Sequence, residues 1–425
     1  MSDGLHLRQV GTPVRAAGFF SDLGAVPPEG FIVSGDASLL ESDGFAVLTS
    51  RKPRFLYPDT PWLRAVFDFF TDTGERGGTY FGSIGEAIHE APAWAAGESG
   101  GKVAAILPDY ISGNSGGKAV ERAFEAGAAR LLDILGAGTL PEKTAIAAPV
   151  WPAGAPAPKD KRGKLHLRDM TVAALAARMY TVDVSPDGSM QRVAAAARSA
   201  GRKIFPFASR PGTEEKGASY RWPAVIAESC TKFFERNAVI SHYVRACPGP
   251  WPGQSRSEYY RALFRREPLA AHSAFDTLRR IAATGVIHAS SRWVRGRREA
   301  ASFTGAPPQE IARLHRYVKH LGRWDFEPFA VCIEMRTALA LGAVEVAYLN
   351  AADDWRVIPE DRLWRYQPRF RGGADASGEA EWRIPGDVRI GELPCDSVRL
   401  LAPGRAEADI LQGECRYAVM ALDGG

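Results

Sequence analysis

Hydrophobic positions change their period near residue 239, and that change divides the chain. Before it, short apolar runs alternate with stretches of helical spacing. Gly44 to Ser50 is apolar without alternation, as a strand buried on both faces is. Pro61 to Phe70 carries Trp62, Val66 and Phe69 at helical spacing. A glycine-rich turn from Gly74 to Gly78 precedes Thr79 to Gly85. A helix then starts near Glu86 and carries His89, and Val103 to Leu107 reads as a second buried strand. Tyr180 to Val184 is a further strand, followed by a helix from Gln191 to Ala200. Strand and helix in alternation predict βαβ units around a mostly parallel sheet. Residues 1 to about 40 hold apolar pieces such as Gly30 to Val33 without a clear period. Pro149 to Gly163 reads as an exposed loop inside the same domain. The polar run from Ser209 to Gly217 reads as a boundary, followed by a helix with Val225, Ile226, Phe233 and Phe234.

Beyond residue 239 the runs shorten. Ile240 to Arg245 is predicted as a strand carrying His242, followed by a helix with Tyr259, Leu263 and Phe264. Ser273 to Thr284 is an amphipathic helix stopped by Gly285. Short strands follow at Ala301 to Thr304, up to Ile333, at Val344 to Leu349, Glu379 to Ile384, Ser397 to Leu401 and Tyr417 to Leu422. The expected architecture is a Rossmann-like α/β domain with a parallel sheet over 1–210 and a linker helix over 211–237. An α+β domain with split antiparallel sheets is expected over 238–425.

Composition changes this little. At 425 residues the chain is long enough for two or three domains. A formal charge of +4 permits contact with nucleic acid or phosphorylated ligands without requiring it. The five cysteines are scattered without a C-x-x-C pair, and no signal peptide is evident, so they read as reduced thiols in a cytoplasmic protein. No run is long enough for a membrane span, and neither metal-site spacings, a nucleophile elbow nor a P-loop occurs.

Candidate chemistry in the first half lies in three turns placed where a parallel sheet binds phosphate, at strand carboxyl ends and helix N-termini. They are Thr49-Ser50-Arg51, Gly82-Ser83-Ile84-Gly85 with Glu86, and Gly188-Ser189-Met190. The order carries a resemblance. Val47 to Pro53, Gly82 to His89, Gly100 to Leu107, Arg168-Asp169 before a helix, Gly188-Ser189 and Gly201 to Pro206 resemble the Rossmann-type domain of the DNA-processing protein A family. That family lies within the wider SLOG group, which includes the lysine-decarboxylase-like cytokinin-activating enzymes. The resemblance implies a pocket for a nucleotide or nucleic-acid phosphate built from Ser50, Arg51, Gly82, Ser83, Gly85, Glu86, Gly188 and Ser189. The chain departs from the family in its second glycine turn, which is reduced to Gly82-Ser83-Ile84-Gly85-Glu86.

In the second half, Glu379 and Glu381 stand two apart in a predicted strand and are expected on one face, side by side. A solvated acidic edge beside Arg383 is the plain alternative. A hairpin-like basic stretch runs from Trp293 through Arg295 and Arg297 to Arg298. The order of a histidine strand (Ser241-His242-Tyr243), a glycine-stopped helix (Leu278 to Gly285) and a late Ala380-Glu381-Trp382 strand resembles the ADP-ribosyltransferase fold, nearest to DNA-targeting toxins of the DarT type. The resemblance implies NAD as substrate, bound through His242, Phe303 and Thr304, with Glu381 polarising the nicotinamide ribose and Glu379 as helper. Arg295, Arg297 and Arg298 are the candidates for the NAD phosphates, and Trp293 or Trp324 for its rings. The chemistry is coherent: cleaving the N-glycosidic bond builds positive charge on the ribose, which a carboxylate stabilises, and arginines suit a pyrophosphate.

The leading expectation is an NAD-consuming ADP-ribosyltransferase or NAD glycohydrolase joined to a domain that senses a nucleotide-type ligand. By analogy that suits bacterial stress or phage defence. The alternative is a binding protein for single-stranded DNA or RNA in which both glutamates are structural. A third reading makes the first domain a nucleotide hydrolase using Arg51 and Glu86. No metal and no membrane are expected, and a homo-oligomer is allowed for.

Overall fold

The first half builds one eight-stranded sheet in the order β1-β2-β6-β5-β4-β3-β7-β8. Its strands are β1 (Arg8–Gly11), β2 (Gly30–Gly35), β3 (Phe45–Leu48), β4 (Thr79–Ser83), β5 (Lys102–Ile106), β6 (Thr144–Val150), β7 (Arg178–Val182) and β8 (Lys203–Phe207). From β6 to β8 all neighbours are parallel, whereas β1 and β2 add an antiparallel edge beside β6. The chain is described by a computed structural model over residues 6–50, 55–73, 75, 77–112, 116–155, 158, 160–207, 220–291, 294–318, 323–371 and 374–424. It divides into two compact units, residues 1–215 with 253–268, and residues 216–252 with 269–425.

Helices α1 (Val14–Asp22), α2 (Pro61–Asp72), α3 (Ala87–Glu98), α4 (Gly117–Leu135), α5 (Lys161–Leu175) and α6 (Ser189–Ser199) cover the first sheet. Phe19 and Phe20 of α1, Leu167 and Val172 of α5, and Met190 and Val193 of α6 share a core with Phe31, Ala46, Leu48, Phe81 and Ile106 of the strands. On the other face, Phe69 and Phe70 of α2 stand 5.7 and 5.8 Å from the Phe45 ring. Burial on both faces explains the unalternated apolar runs of β3, β4 and β5. Arg168 and Asp169, expected ahead of a helix, lie inside α5.

The second unit opens with α7 (Glu228–Arg236). Val225 and Ile226, expected within that helix, precede it, and Val225 is exposed. Next come β9 (Val239–Tyr243), α8 (Arg256–Arg265), which belongs with the first unit, and α9 (Ala274–Thr284). Then follow β10 (Ala300–Thr304), α10 (Pro308–Ala312), β11 (Arg316–Val318), β12 (Arg323–Asp325), β13 (Ala330–Glu334), α11 (Met335–Ala340), β14 (Val344–Glu345), β15 (Ala347–Leu349), β16 (Tyr366–Pro368), β17 (Phe370–Arg371) and β18 (Ala374–Asp375). The chain closes with β19 (Glu381–Pro385), β20 (Val398–Ala402), α12 (Arg405–Glu414) and β21 (Ala418–Ala421). Seven strands form a largely antiparallel sheet in the order β14-β19-β10-β9-β13-β20-β21, with only β20 and β21 parallel. β11 with β12, β15 with β16 and β17 with β18 make two-stranded sheets. β9 and β10 share one bridge pair, Ser241 with Thr304, so the sheet is held by full ladders on either side of a weak central seam.

Two local expectations fail for backbone reasons. Residues 344–349, expected as one strand, serve two sheets, since β14 pairs with β19 and β15 with β16. The stretch 295–297 is a 3-10 turn rather than a hairpin, bent by positive φ at Gly296 and Arg297.

Gly285 ends α9 with φ of 69°, and a Cβ there would meet Gly391 Cα at 2.9 Å. Gly285→Ala should therefore lower the stability of the second unit by about 1–3 kcal/mol. Gly413→Ala, in open space on α12, should leave it unchanged or raise it. Urea midpoints of the two variants check the contrast.

Candidate functional site

The parallel part of the first sheet runs outward from β3 in both directions, to β4 on one side and β7 on the other. Such a switch point leaves a crevice at the strand carboxyl ends. Ser50 follows β3 there, and its Oγ accepts the Ser185 N–H at 2.7 Å. Gly188 packs against the same hydroxyl and caps the N-terminus of α6 at Ser189, so Ser50, Gly188 and Ser189 come together as expected.

The second glycine turn is built differently. Gly82 and Ser83 are strand residues of β4 rather than turn residues. Gly82 leaves room for the Tyr80 ring, which a Cβ would approach to 2.4 Å, and the buried Ser83 Oγ donates to Ile106 O at 2.7 Å. Gly85, with φ of 100°, donates its N–H to Glu90 Oε1 at 2.9 Å, and Glu86 caps α3. Glu90 thus supplies from within the chain the anion that this helix N-terminus favours.

Between these two places lies a buried polar cluster that local sequence patterns did not reveal. Arg168 Nε and Nη2 hold Asp169 Oδ1 at 2.9 and 2.7 Å, and His89 Nε2 lies 4.0 Å from it. Burial raises the Asp169 carboxyl to about 6, partly offset by Arg168. Burial, reinforced by Arg168, holds the His89 imidazole well below its ordinary value, so it is neutral.

In the second unit the seam between β9 and β10 carries the expected histidine. His242 Nδ1 is 2.7 Å from the Ser302 carbonyl. A carbonyl only accepts, so Nδ1 bears the proton and Nε2 is left as an acceptor. The ring bridges the seam where a backbone ladder bond would otherwise lie. It keeps partial solvent access, yet surrounding protein desolvates it and lowers its pKa to about 4. Phe303 is buried with its ring 5.5 Å from that of His242.

One strand further out, Ser302 Oγ donates to Glu381 Oε1 at 2.9 Å. Glu381 also receives Gln367 Nε2 at 3.0 Å and Arg383 Nε and Nη2 at 2.9 and 3.2 Å. These donors fill about the four lone-pair positions that a carboxylate offers. Arg383 is 1% exposed and donates onward to the Trp364 carbonyl. The solvated acidic edge is therefore absent, and a buried ion pair stands in its place. Gln367 and Arg383 are buried, whereas Ser302 is exposed.

The side-by-side placement of Glu379 and Glu381 does not form. Ser377–Glu379 is a 3-10 turn, and Ala380 takes φ of 43°, so β19 begins only at Glu381. Glu379 instead accepts the Thr304 hydroxyl through its backbone carbonyl at 2.6 Å. Trp324 sits on β12 stacked on His315 at 4.6 Å, apart from the seam. Arg295 lies 3.8 Å over the Trp355 ring, while Arg297 and Arg298 are exposed in the same turn. Arg51 and Trp293 lie outside the described residues, as do 209–217. Ser302 and Gln367 are the partners of Glu381 that motif reasoning passed over. Only Ser302, alternating out of an apolar strand, left a local signal.

No family model matches the chain, and no curated protein matches it. Among solved structures the chain is similar to DNA processing protein A from Streptococcus pneumoniae, at 16% identity over 55% of this chain and 70% of that one, with a TM-score of 0.35. It is also similar to DNA processing protein A from Helicobacter pylori, described for its single-stranded DNA binding mode, at 14% identity over 51% and 85%, with a TM-score of 0.33. No described helix is long and apolar enough to cross a membrane.

The seam histidine makes a pH signature. The unfolded imidazole titrates near its ordinary 6.5 and the folded one near 4. Its contribution to stability is present above pH 6.5 and is lost as pH falls from there towards 4, because only the unfolded state binds the proton in that window. The difference in urea midpoint between the native protein and His242→Asn should shrink across that range and be level above it.

Proposed function

We propose that the second unit binds NAD and cleaves its nicotinamide–ribose bond, passing ADP-ribose to an acceptor or to water, while the first unit binds a nucleotide-type ligand in the crevice between β3 and β7. The observation that carries the reading is the hydrogen-bonded line from His242 through Ser302 to Glu381 across the central seam. In this reading a ribose hydroxyl takes the place of the Ser302 hydroxyl at Glu381 Oε1. The carboxylate, paired with Arg383, then faces the positive charge that grows on the ribose as nicotinamide leaves with the bonding electron pair. Neutral His242 offers Nε2 as an acceptor to a second hydroxyl, and Phe303 walls the apolar side. Ser50, Gly188 and Ser189 supply the first unit's crevice with a hydroxyl and helix N–H groups, the donors that a phosphate takes.

A second reading, binding of single-stranded DNA or RNA without catalysis, is favoured by a separate observation. Arg295, Arg297 and Arg298 are exposed, and among the described residues no acid pairs with them. Exposed guanidinium groups without acids suit a phosphate backbone.

Incubation with NAD separates the two. Nicotinamide release is expected from the native protein and should fall by about 100-fold or more in Glu381→Gln. Release that persists in the variant removes Glu381 from the chemistry. No release, with oligonucleotide binding whose log–log salt slope falls by about 1 for each of Arg295→Ala, Arg297→Ala and Arg298→Ala, favours the second reading.

A further inference from the structure

Between β14 and β19 the chain leaves the seven-stranded sheet, and there β15 and β16 pair with each other. The two strands are parallel, with Ala347 opposite Tyr366, Tyr348 opposite Gln367 and Leu349 opposite Pro368. Arg369 N–H donates to Leu349 O at 2.8 Å at the end of the pair. Residues opposite each other in register project to one face, so Tyr348 and Gln367 form one rung. Both reach Glu381. The Tyr348 hydroxyl accepts the Glu381 N–H at 3.1 Å, and Gln367 Nε2 donates to Glu381 Oε2 at 3.0 Å. Val346, just before β15, donates its N–H to the Glu381 carbonyl at 2.9 Å. The two short strands thus hold the backbone and the side chain of the same residue.

The position of Glu381 explains why such a hold matters. It is the first residue of β19, directly after the left-handed Ala380. The outer neighbour β14 pairs with β19 only at Arg383 and Trp382. Past them the chain has turned into β15, and the Tyr348 hydroxyl takes the N–H that a continued ladder would have bonded. The last torsion of a glutamate is broad and two-fold. Arg383, with Nε on Oε1 and Nη2 on Oε2, would fit the carboxylate equally well after a half-turn. Ser302 on Oε1 and Gln367 on Oε2 make the two oxygens distinct. Gln367 is buried and neutral, so it donates without adding a charge to the Glu381–Arg383 pair. The side chain expected beside Glu381 was that of Glu379. A second carboxylate there would repel the first, whereas the Gln367 amide donates to it.

We propose that Gln367, aligned by Tyr348, is a positioning residue: it fixes the plane of the Glu381 carboxylate and keeps Oε1 turned to Ser302 and the seam. The inference rests on the reading that Glu381 serves the cleavage of NAD, and it extends that reading to a residue that acts only through Glu381.

Steady-state nicotinamide release by the full chain tests it. Gln367→Leu keeps the size and removes the donor. Its kcat should fall by about 10- to 100-fold, as for a reacting group held out of place, while the KM for NAD stays level. Tyr348→Phe should give a smaller fall of the same kind. Gln367→Glu should be least active at high pH and regain activity relative to the native protein as pH is lowered, because the introduced carboxyl donates while protonated and only accepts once ionised. A Gln367 that serves stability alone would lower the urea midpoint and leave kcat per folded molecule unchanged. That result, or a rise in KM alone, overturns the proposal. Should Gln367→Leu not fold, Gln367→Glu and Tyr348→Phe carry the test. A second readout is independent of NAD. The side-chain amide signal of Gln367, assigned by its loss in the Gln367 variants, should move in Glu381→Gln, and an unmoved signal refutes the hold on Glu381. No release from the native protein refutes the NAD reading and with it the role in cleavage, while the amide signal still decides the hold.

Discussion

A carboxylate removed from water must be met by donors, and the polar architecture of both units follows from that constraint. Glu381 can be buried at the start of β19 only because Ser302, Gln367 and Arg383 converge on it. Arg383, itself buried, must in turn be satisfied, and it is, by Glu381 and the Trp364 carbonyl. One ion pair thereby ties β10, β19 and the segment around 364–367 into a unit. Glu90 plays the matching part in the first unit, where two arginines, a tyrosine and a backbone N–H answer one buried charge.

The weak seam between β9 and β10 gains its meaning from the same logic. A continuous ladder would have satisfied the Ser302 carbonyl with a backbone N–H. At the seam a side-chain imidazole does so, which fixes its tautomer and keeps it neutral. A neutral acceptor on one side and an arginine-paired carboxylate on the other, joined by Ser302, form an asymmetric pair. The proposed NAD chemistry uses that asymmetry, and the exposed arginines at 295–298 stand as a separate basic feature of the same unit.

Local sequence accounts well for what is decided locally. The unalternated runs of β3, β4 and β5, the spacing in α2, and the Ser273 and Gly285 boundaries of α9 were legible because burial on two faces, helical period and capping leave short-range marks. So was the meeting of Ser50 with Gly188, since parallel sheets bring successive carboxyl ends to one edge. The pairing of Glu379 with Glu381 was misread because a period-two rule holds only on extended backbone, and the left-handed Ala380 interrupts it one residue before the strand.

By itself, then, the sequence determined the two architectures, their order and the strands that bear His242 and Glu381, because periodicity and turn chemistry are properties of neighbouring residues. Only the tertiary structure decided which donors surround each buried carboxylate. Ser302 and Gln367 reach Glu381 from different elements, and Tyr260 reaches Glu90 from 170 positions along the chain. The same holds for the arm at 253–268, whose amphipathic helix reads alike whichever core it covers. Long-range partners are selected by where surfaces are buried, and no pattern within a window of neighbouring residues records that choice.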